Sequence, residues 1–381
     1  MVDSLPPVWE ADPHTLAKHA ILRRYLQAWM PILAHQSHRA GQGRREILFI
    51  DGFAGPGEYV GGQEGSPIIA IRAALEHSHA FPTPIRFVFI EKDRERHTCL
   101  LQALGKHKAA LAARQDVLVP PPLLGECDAL LSEMLFRQER EGVTFGPALV
   151  FLDQFGYSSV SMDLIKTVLG FPQCEVFSYL DWNWMNRFLS DETKWAGISR
   201  AYGGDLWKPA IQFSGRQREQ FLRDTYTKQL TDAAQAKYSW TFEMHGKGNK
   251  LLYWLFFSTN SIRGLEEMKK AMSQVDDSGR GTFTFSDAND PDQLGLFRGV
   301  SQADLAKMLS DKLSGKTMTV SEIKEYVLTK TPCFLFNEAL AALEREGKLR
   351  VIDAPSERRR ASFAKYPELE VRFPAAQQSL W

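Results

Sequence analysis

Seven residues, Asp51-Gly52-Phe53-Ala54-Gly55-Pro56-Gly57, stand directly after the apolar run Ile47-Leu48-Phe49-Ile50. A strand ending in an acid and a turn built of glycines lets backbone approach a ligand closely, because no Cβ atoms keep it away. A dinucleotide fingerprint would need a third glycine three residues after Gly57; Val60 stands there, which disfavours a nicotinamide cofactor. Taken alone, the heptapeptide also reads as a plain tight turn after a buried strand. Glu91 closes a second apolar run, Phe87 to Ile90, and a strand-terminal acid of this kind either binds a ligand or faces solvent. Asp153-Gln154-Phe155-Gly156-Tyr157 follows a further run, Leu149 to Leu152, and the Gln154 amide could hydrogen-bond a base edge. Arg187, beside Asn186, could form bidentate pairs with phosphate oxygens or serve in a structural salt bridge. Trp182, Trp184, Trp195 and Trp207 crowd one arginine-rich stretch, an arrangement that suits base stacking or, equally, core packing. The four cysteines, Cys99, Cys127, Cys174 and Cys333, are scattered without a CxxC pair, so neither a disulfide framework nor a structural metal is expected.

The elements that must position these residues follow from periodicity. Between residues 14 and 33, Leu16, Ile21, Leu22, Tyr25, Leu26 and Trp29 recur at three- and four-residue spacing, which predicts an amphipathic helix. Apolar strand runs then alternate with helical stretches: ILFID, a helix in GSPIIAIRAAL, RFVFIEKD, a helix after Asp93, a strand and helix in 117–136, ALVFLD, a helix in SMDLIKTVL, and a fifth strand in CEVFSYLDWNW. Nearly continuous apolar strands separated by helices predict a parallel sheet covered on both faces. Residues 184–236 read as a helical insertion. Two apolar runs around Gly246-Lys247-Gly248-Asn249 predict a hairpin, and a following helix places Glu266 and Glu267 against Lys270. Five parallel strands followed by a hairpin is the arrangement expected of a methyltransferase sheet, a doubly wound fold.

The heptapeptide is similar to the first motif of class I S-adenosylmethionine-dependent methyltransferases. That resemblance implies that Asp51, Phe53, Gly55 and Gly57 hold the amino-acid end of S-adenosylmethionine, that Glu91 accepts hydrogen bonds from two ribose hydroxyls, and that Asp128 meets the adenine amino group. A helix N-cap is the alternative for Asp128. Amino-group methyltransferases place an acid or amide, a proline and aromatics after the fourth strand, so Asp153, with Phe155 or Tyr157, could position an acceptor amine. Gln154 departs from the proline of that pattern, whose fixed φ would aim a carbonyl. A larger set of blocks, HTLAKHAILRRYLQAW, FIDGFAGPGEYVGGQEGSPIIAI, FIEKD, VFLDQFGYSSV, Asn186-Arg187-Phe188 and LLYWLFFSTNSIRGLEEMKKAM, resembles the three-Cys-motif partner (TcmP) family from about His14 to Met272. The resemblance implies a class I methyltransferase-like Rossmann domain with a C-terminal winged helix, and partnership with a radical-type protein bearing three cysteines. It also implies that the N-terminal helix lies beside the cofactor mouth, where Lys18, four residues from His14, could meet the methionine carboxylate or a substrate phosphate. A solvated lysine is the alternative.

From Ser301 the texture changes to three short helices and a pair of short strands, RVIDAPSERRRASFAKY, the pattern of a winged helix-turn-helix. The expected organisation is therefore an α/β domain over 1–290, a boundary in the polar stretch 276–300 with one short strand, and a winged helix over 301–381. Forty-six Lys and Arg balance 46 Asp and Glu in the 381 residues, so no global positive field holds the chain on nucleic acid or anionic lipid. The tail carries 7 Lys and 6 Arg against 3 Asp and 8 Glu, about +2, with acids in its third helix and a basic run at Arg358, Arg359 and Arg360. Nucleic acid, DNA or RNA, is expected to meet that wing; docking of a protein there is the alternative. No apolar run approaches membrane-spanning length and no secretory signal is visible, so the expected location is the cytosol. Two functions follow as expectations: methyl transfer to an amino group of a nucleic-acid base, or a non-catalytic adaptor that recruits the partner enzyme.

Overall fold

The computed structural model describes residues 7–39, 46–140, 145–154, 156, 159–246, 250–276, 284–286 and 302–375. The alternation of apolar and amphipathic runs folds as α1 (Pro13–Arg39), β1 (Ile47–Asp51), α2 (Ser66–Leu75), β2 (Ile85–Glu91), α3 (Arg94–Gly105), α4 (Lys108–Ala112), β3 (Val117–Leu118), β4 (Leu123–Leu124), α5 (Cys127–Arg140), β5 (Ala148–Leu152), α6 (Met162–Leu169) and β6 (Cys174–Asp181). α7 (Trp182–Phe188), α8 (Trp195–Tyr202) and α9 (Gly215–Lys228) precede a hairpin of β7 (Tyr238–Gly246) and β8 (Lys250–Thr259), then α10 (Ile262–Ser273) and β9 (Thr284–Ser286). The sheet runs β3-β2-β1-β5-β6-β8-β7-β9, with β4 beside β2. Pairing is parallel from β3 through β6, while β8 lies antiparallel between β6 and β7. Every residue of β5 is buried, as a strand covered on both faces requires. Strand order reverses between β1 and β5, and at such a switch point a crevice opens at the strands' carboxyl ends.

α1 extends beyond the expected 14–33, and its Ile21, Leu22, Tyr25, Leu26 and Trp29 are buried as the spacing predicts, whereas Leu16 is exposed. A polar tie fixes it to the sheet: the Tyr25 hydroxyl donates to Glu175 at 2.5 Å and Thr259 donates to the other carboxylate oxygen at 2.7 Å. Burial raises the Glu175 pKa, although these two hydroxyls pull against it. The fifth strand is shorter than expected. Asp181 ends it and caps α7, accepting the Trp184 N–H at 2.9 Å, so Trp182 to Phe188 coil as helix. Trp182 and Trp207 are packed in the core, while Trp184 stays 48% exposed. Lys270 pairs with Glu266 and Glu267 at 2.8 and 3.1 Å on α10.

The chain divides into two compact units, one holding residues up to Val275 with β9, the other holding the described residues from Gln302 onward. β9 pairs with β7, so the short strand of the polar stretch belongs to the first unit. The second unit comprises α11 (Gln302–Lys312), β10 (Thr317–Thr319), α12 (Val320–Lys330), α13 (Phe336–Arg345), β11 (Arg350–Val351) and β12 (Glu370–Arg372), with sheet order β10-β12-β11. A capping box joins Thr319 and Glu322 at the start of α12. The wing differs from expectation: its returning strand is Glu370–Arg372 rather than part of ASFAKY, because Val371 and Phe373, not Phe363 and Tyr366, supply the alternation that β10 and β11 pair with. Among the described residues, no helix is long and apolar enough to cross a membrane, and no group of three or more His, Cys, Asp or Glu could hold a metal ion.

Candidate functional site

Asp51 ends β1 fully buried, between Phe89 of β2 and Phe151 of β5. The turn after it is stitched to both neighbours: Gly52 N–H donates to the Phe151 carbonyl and Ala54 N–H to the Ile90 carbonyl, each at 2.9 Å. Gly55 and Gly57 have φ of +62° and +83°, a region that penalises any side chain. One Asp51 oxygen accepts the Phe53 N–H at 3.1 Å; the other, Oδ2, is buried with no hydrogen-bond partner. Burial pushes the Asp51 pKa up to about 7, with nearby Asp153 and Glu91 adding repulsion, against the pull of Ser66 and Phe53. Glu91 is buried at the end of β2. Its oxygens accept the Gly55 N–H at 2.9 Å and the Asp93 N–H at 2.8 Å, so the second strand's acid holds the first strand's turn in shape.

A cavity of about 280 Å3 opens here, walled by Gly52, Phe53, Glu91, Arg96, Cys127 and Arg200 among others. Within this lining Glu91 keeps a second lone pair on each oxygen for hydroxyl donors and the arginines can meet an acid; Asp51, next in the chain to the lining residue Gly52 but not itself in the lining, carries the unpartnered oxygen suited to an ammonium. Cys127 is no nucleophile, since burial pushes its thiol up to about 12. A Cβ on Gly52 would meet the Cys127 sulfur at 2.5 Å, so the glycine is required by packing as well as by approach.

Beyond β5, Asp153 is ion-paired with Lys18 of α1, and both are largely buried. Lys18 is therefore not a solvated lysine. Its ammonium also lies 5.7 and 5.9 Å from the ring centroids of Tyr179 and Tyr253. Gln154 corrects the expectation of an outward amide. Its Oε1 accepts the N–H groups of Ser159 and Val160 at 2.9 and 3.0 Å, and its Nε2 donates to the Tyr179 carbonyl at 3.3 Å. All of that hydrogen bonding serves the loop itself. Phe155 and Tyr157 lie outside the described residues.

Asp128 lies in the first turn of α5 rather than at its N-cap. It accepts from the Ser161 backbone and hydroxyl at 3.2 and 3.0 Å and pairs with Arg200, which brings Arg200 to the cavity wall. Asn186 accepts from Arg218 at 2.8 Å, and Arg187 sits over the Phe188 ring at 5.4 Å, both on α7. The basic wing is also corrected. Arg358 is a buried structural residue whose guanidinium grips Glu344 at 2.9 and 2.7 Å and donates to the Ser362 carbonyl, while Arg360 donates to the carbonyls of Glu344 and Arg345. Only Arg359 of the three has a side chain with no ion pair or hydrogen bond among the described residues; its carbonyl accepts the Ser362 N–H at 3.2 Å. Sequence reasoning missed Arg96, Arg200, Tyr179 and Tyr253. Arg200 meets Asp128 across 72 positions of chain, and no local pattern announces such a pair.

The family description "GMT-like wHTH domain" matches residues 273–356, which places a winged helix-turn-helix at the C-terminus. Among curated proteins, none matches the chain. Among solved structures, protein LPL1258 from Legionella pneumophila str. Philadelphia 1, of family DUF519, is 12% identical and superposes with a TM-score of 0.34 over 69% of this chain and 91% of that one. A DUF574 family protein from Streptomyces avermitilis MA-4680 is 13% identical, with a TM-score of 0.27 over 63% and 82%. Superpositions so loose decide neither fold nor function.

Proposed function

We propose that this protein binds S-adenosylmethionine in the crevice over β1 and β2 and transfers its methyl group to an amino group of a nucleic-acid base. The observation that carries the reading is Asp51, buried at the base of the glycine turn with an oxygen that no protein group satisfies. The sheet supports it as well, because five parallel strands followed by a hairpin whose last strand inserts antiparallel beside the fifth is a methyltransferase arrangement. The donor set fits the cofactor: Asp51 would receive its ammonium, Glu91 its ribose hydroxyls, and the Gly55 and Gly57 turn would admit its backbone. When bound, the cofactor supplies a methyl group on a sulfonium that needs little acid-base help, so orientation supplies most of the rate. Lys18 holds Asp153 in place through their ion pair, and Gln154 holds the loop that carries it. The winged helix suits a nucleic-acid substrate, and the family resemblance adds a radical-type partner bearing three cysteines, in the cytosol.

Titration calorimetry of the folded protein with S-adenosylmethionine tests this directly: heat of binding is expected, and its absence overturns the reading. Labelled methyl transfer to DNA, tRNA and rRNA pools should then vanish in Asp153→Ala while cofactor affinity survives. One observation favours a second reading, that of a recruiting adaptor. The carboxylate in the acceptor position is already engaged by the chain's own Lys18 and the neighbouring amide is turned inward. Cofactor binding without transfer to any pool, alone or with the three-cysteine partner added, would establish the adaptor.

A further inference from the structure

We propose that the winged-helix unit grips a nucleic-acid phosphate backbone across the C-terminal end of α13, the wing arginines beside it and the outer face of its small sheet, rather than through the N-terminal half of α13; this rests on the reading that the protein works on nucleic acid. The surface is built by five arginines. Arg350 of β11 and Arg372 of β12 stand directly opposite one another in the antiparallel register, with Thr317 of β10 in the same row, while Val351 and Val371 turn the other way into the core. Arg345 is the last residue of α13, and Arg360 reaches the same helix end, its Nη2 3.1 Å from the Glu344 carbonyl and 3.4 Å from that of Arg345. Arg359 is its neighbour in the chain.

None of the five forms an ion pair with a carboxylate among the described residues, and all are exposed. Two of the acids around them are neutralised internally: Glu344 is held by the buried Arg358, and Glu346 by Lys348 at 2.8 Å. Asp353, Glu357, Glu368 and Glu370, in β12 and the loop between β11 and β12, form no ion pair among the described residues, so the arginines lead this face by a narrow margin of charge. Like charges placed directly opposite across two strands repel and cost stability, so the Arg350 and Arg372 pair makes physical sense against a polyanion. Helix-turn-helix proteins usually lead with the N-terminal residues of the third helix. Here that end carries Glu338, which phosphates repel, whereas the opposite end carries Arg345 and Arg360. The partner the charges select is a phosphate backbone read without reference to base sequence.

The test uses the full chain and fluorescence anisotropy with a labelled DNA duplex and, separately, a labelled single-stranded RNA, each over a range of salt. Each phosphate contact contributes about 0.9 to the slope of log K against log salt on duplex DNA, so Arg350→Gln with Arg372→Gln should lower that slope by about 2 and weaken binding about tenfold or more. Glu338→Gln should leave affinity within about twofold. Because the double variant removes a repulsive pair, its melting temperature should hold or rise, which separates lost contact from lost fold. The proposal is overturned if the wild type binds neither probe, if the double variant keeps wild-type slope and affinity, or if Glu338→Gln tightens binding strongly. A wild type that binds neither probe would leave this face to a protein partner. Calorimetry with S-adenosylmethionine on the same double variant keeps the two readings apart: intact cofactor binding with unchanged nucleic-acid binding sinks the arginine surface alone.

Discussion

Burying Asp51 with one oxygen unpartnered disfavours its charged form, so its pKa lies about 7 against an ordinary 3.8. The native state thus holds a proton that the unfolded chain gives up, and this contribution to stability is present below pH 3.8 and lost as pH rises through about 7. Its size is on the order of 4 kcal/mol at 1.36 kcal/mol per unit. His19, fully buried and beside the Lys18 ammonium, runs the other way, from 6.5 down to about 3, so its contribution is present above 6.5 and lost as pH falls through about 3. Across the shared range the two slopes oppose each other. Urea denaturation of the wild type between pH 4 and 6.5 should therefore show little dependence from this pair, whereas Asp51→Asn should make stability rise with pH and His19→Phe should make it fall; parallel profiles for the two variants would disprove the assignment. Asp51→Asn should also stabilise the protein above pH 7 and weaken S-adenosylmethionine binding about tenfold or more, the exchange expected when a strained group serves a ligand. Cofactor affinity of the wild type should climb with pH through about 7 and that climb should disappear in the variant.

At the scale of elements, side chains placed by distant strands decide what each helix end does. Arg358 shows this in the wing. It is nearly inaccessible, and its ordinary reading as a phosphate contact gives way to a bidentate clamp on Glu344 that draws the Glu344 pKa below the usual carboxylate range. Arg358→Ala would strand a mostly buried carboxylate and should cost about 3–5 kcal/mol in the winged unit, read as a lowered melting temperature. Substituting Arg359, which is exposed, should leave melting unchanged. Gln154 plays a similar part on the other unit, since three hydrogen bonds to Ser159, Val160 and Tyr179 set the path of the chain after β5.

For the whole molecule, equal numbers of acids and bases mean that binding must be local. Cofactor binding in a buried crevice should change little between low and high salt, while nucleic-acid binding should fall steeply, with a slope no larger in magnitude than about 4.5 if all five arginines meet phosphates of a duplex. A larger slope would mean that basic residues beyond these five, the tail's lysines or those of the first unit, also bind. The charge balance is legible from composition, yet which arginines remain unpaired is not, because pairs such as Arg358 with Glu344 and Arg200 with Asp128 form across tens of residues.

The order of strands and helices, the glycine turn after β1, the acids ending β1 and β2 and the three helices of the tail were all determined by periodicity and by residue type, because burial of apolar faces and tolerance of positive φ are local requirements. Only the tertiary structure decided where polar side chains spend their hydrogen bonds. It turned Gln154 inward, engaged Asp153 with Lys18, gave Asp128 to Ser161 and Arg200, and ended the fifth strand at Asp181. Those choices depend on which groups meet after the sheet closes, and buried polar groups must be satisfied by whatever neighbour the fold brings; Asp51 keeps one oxygen without such a neighbour.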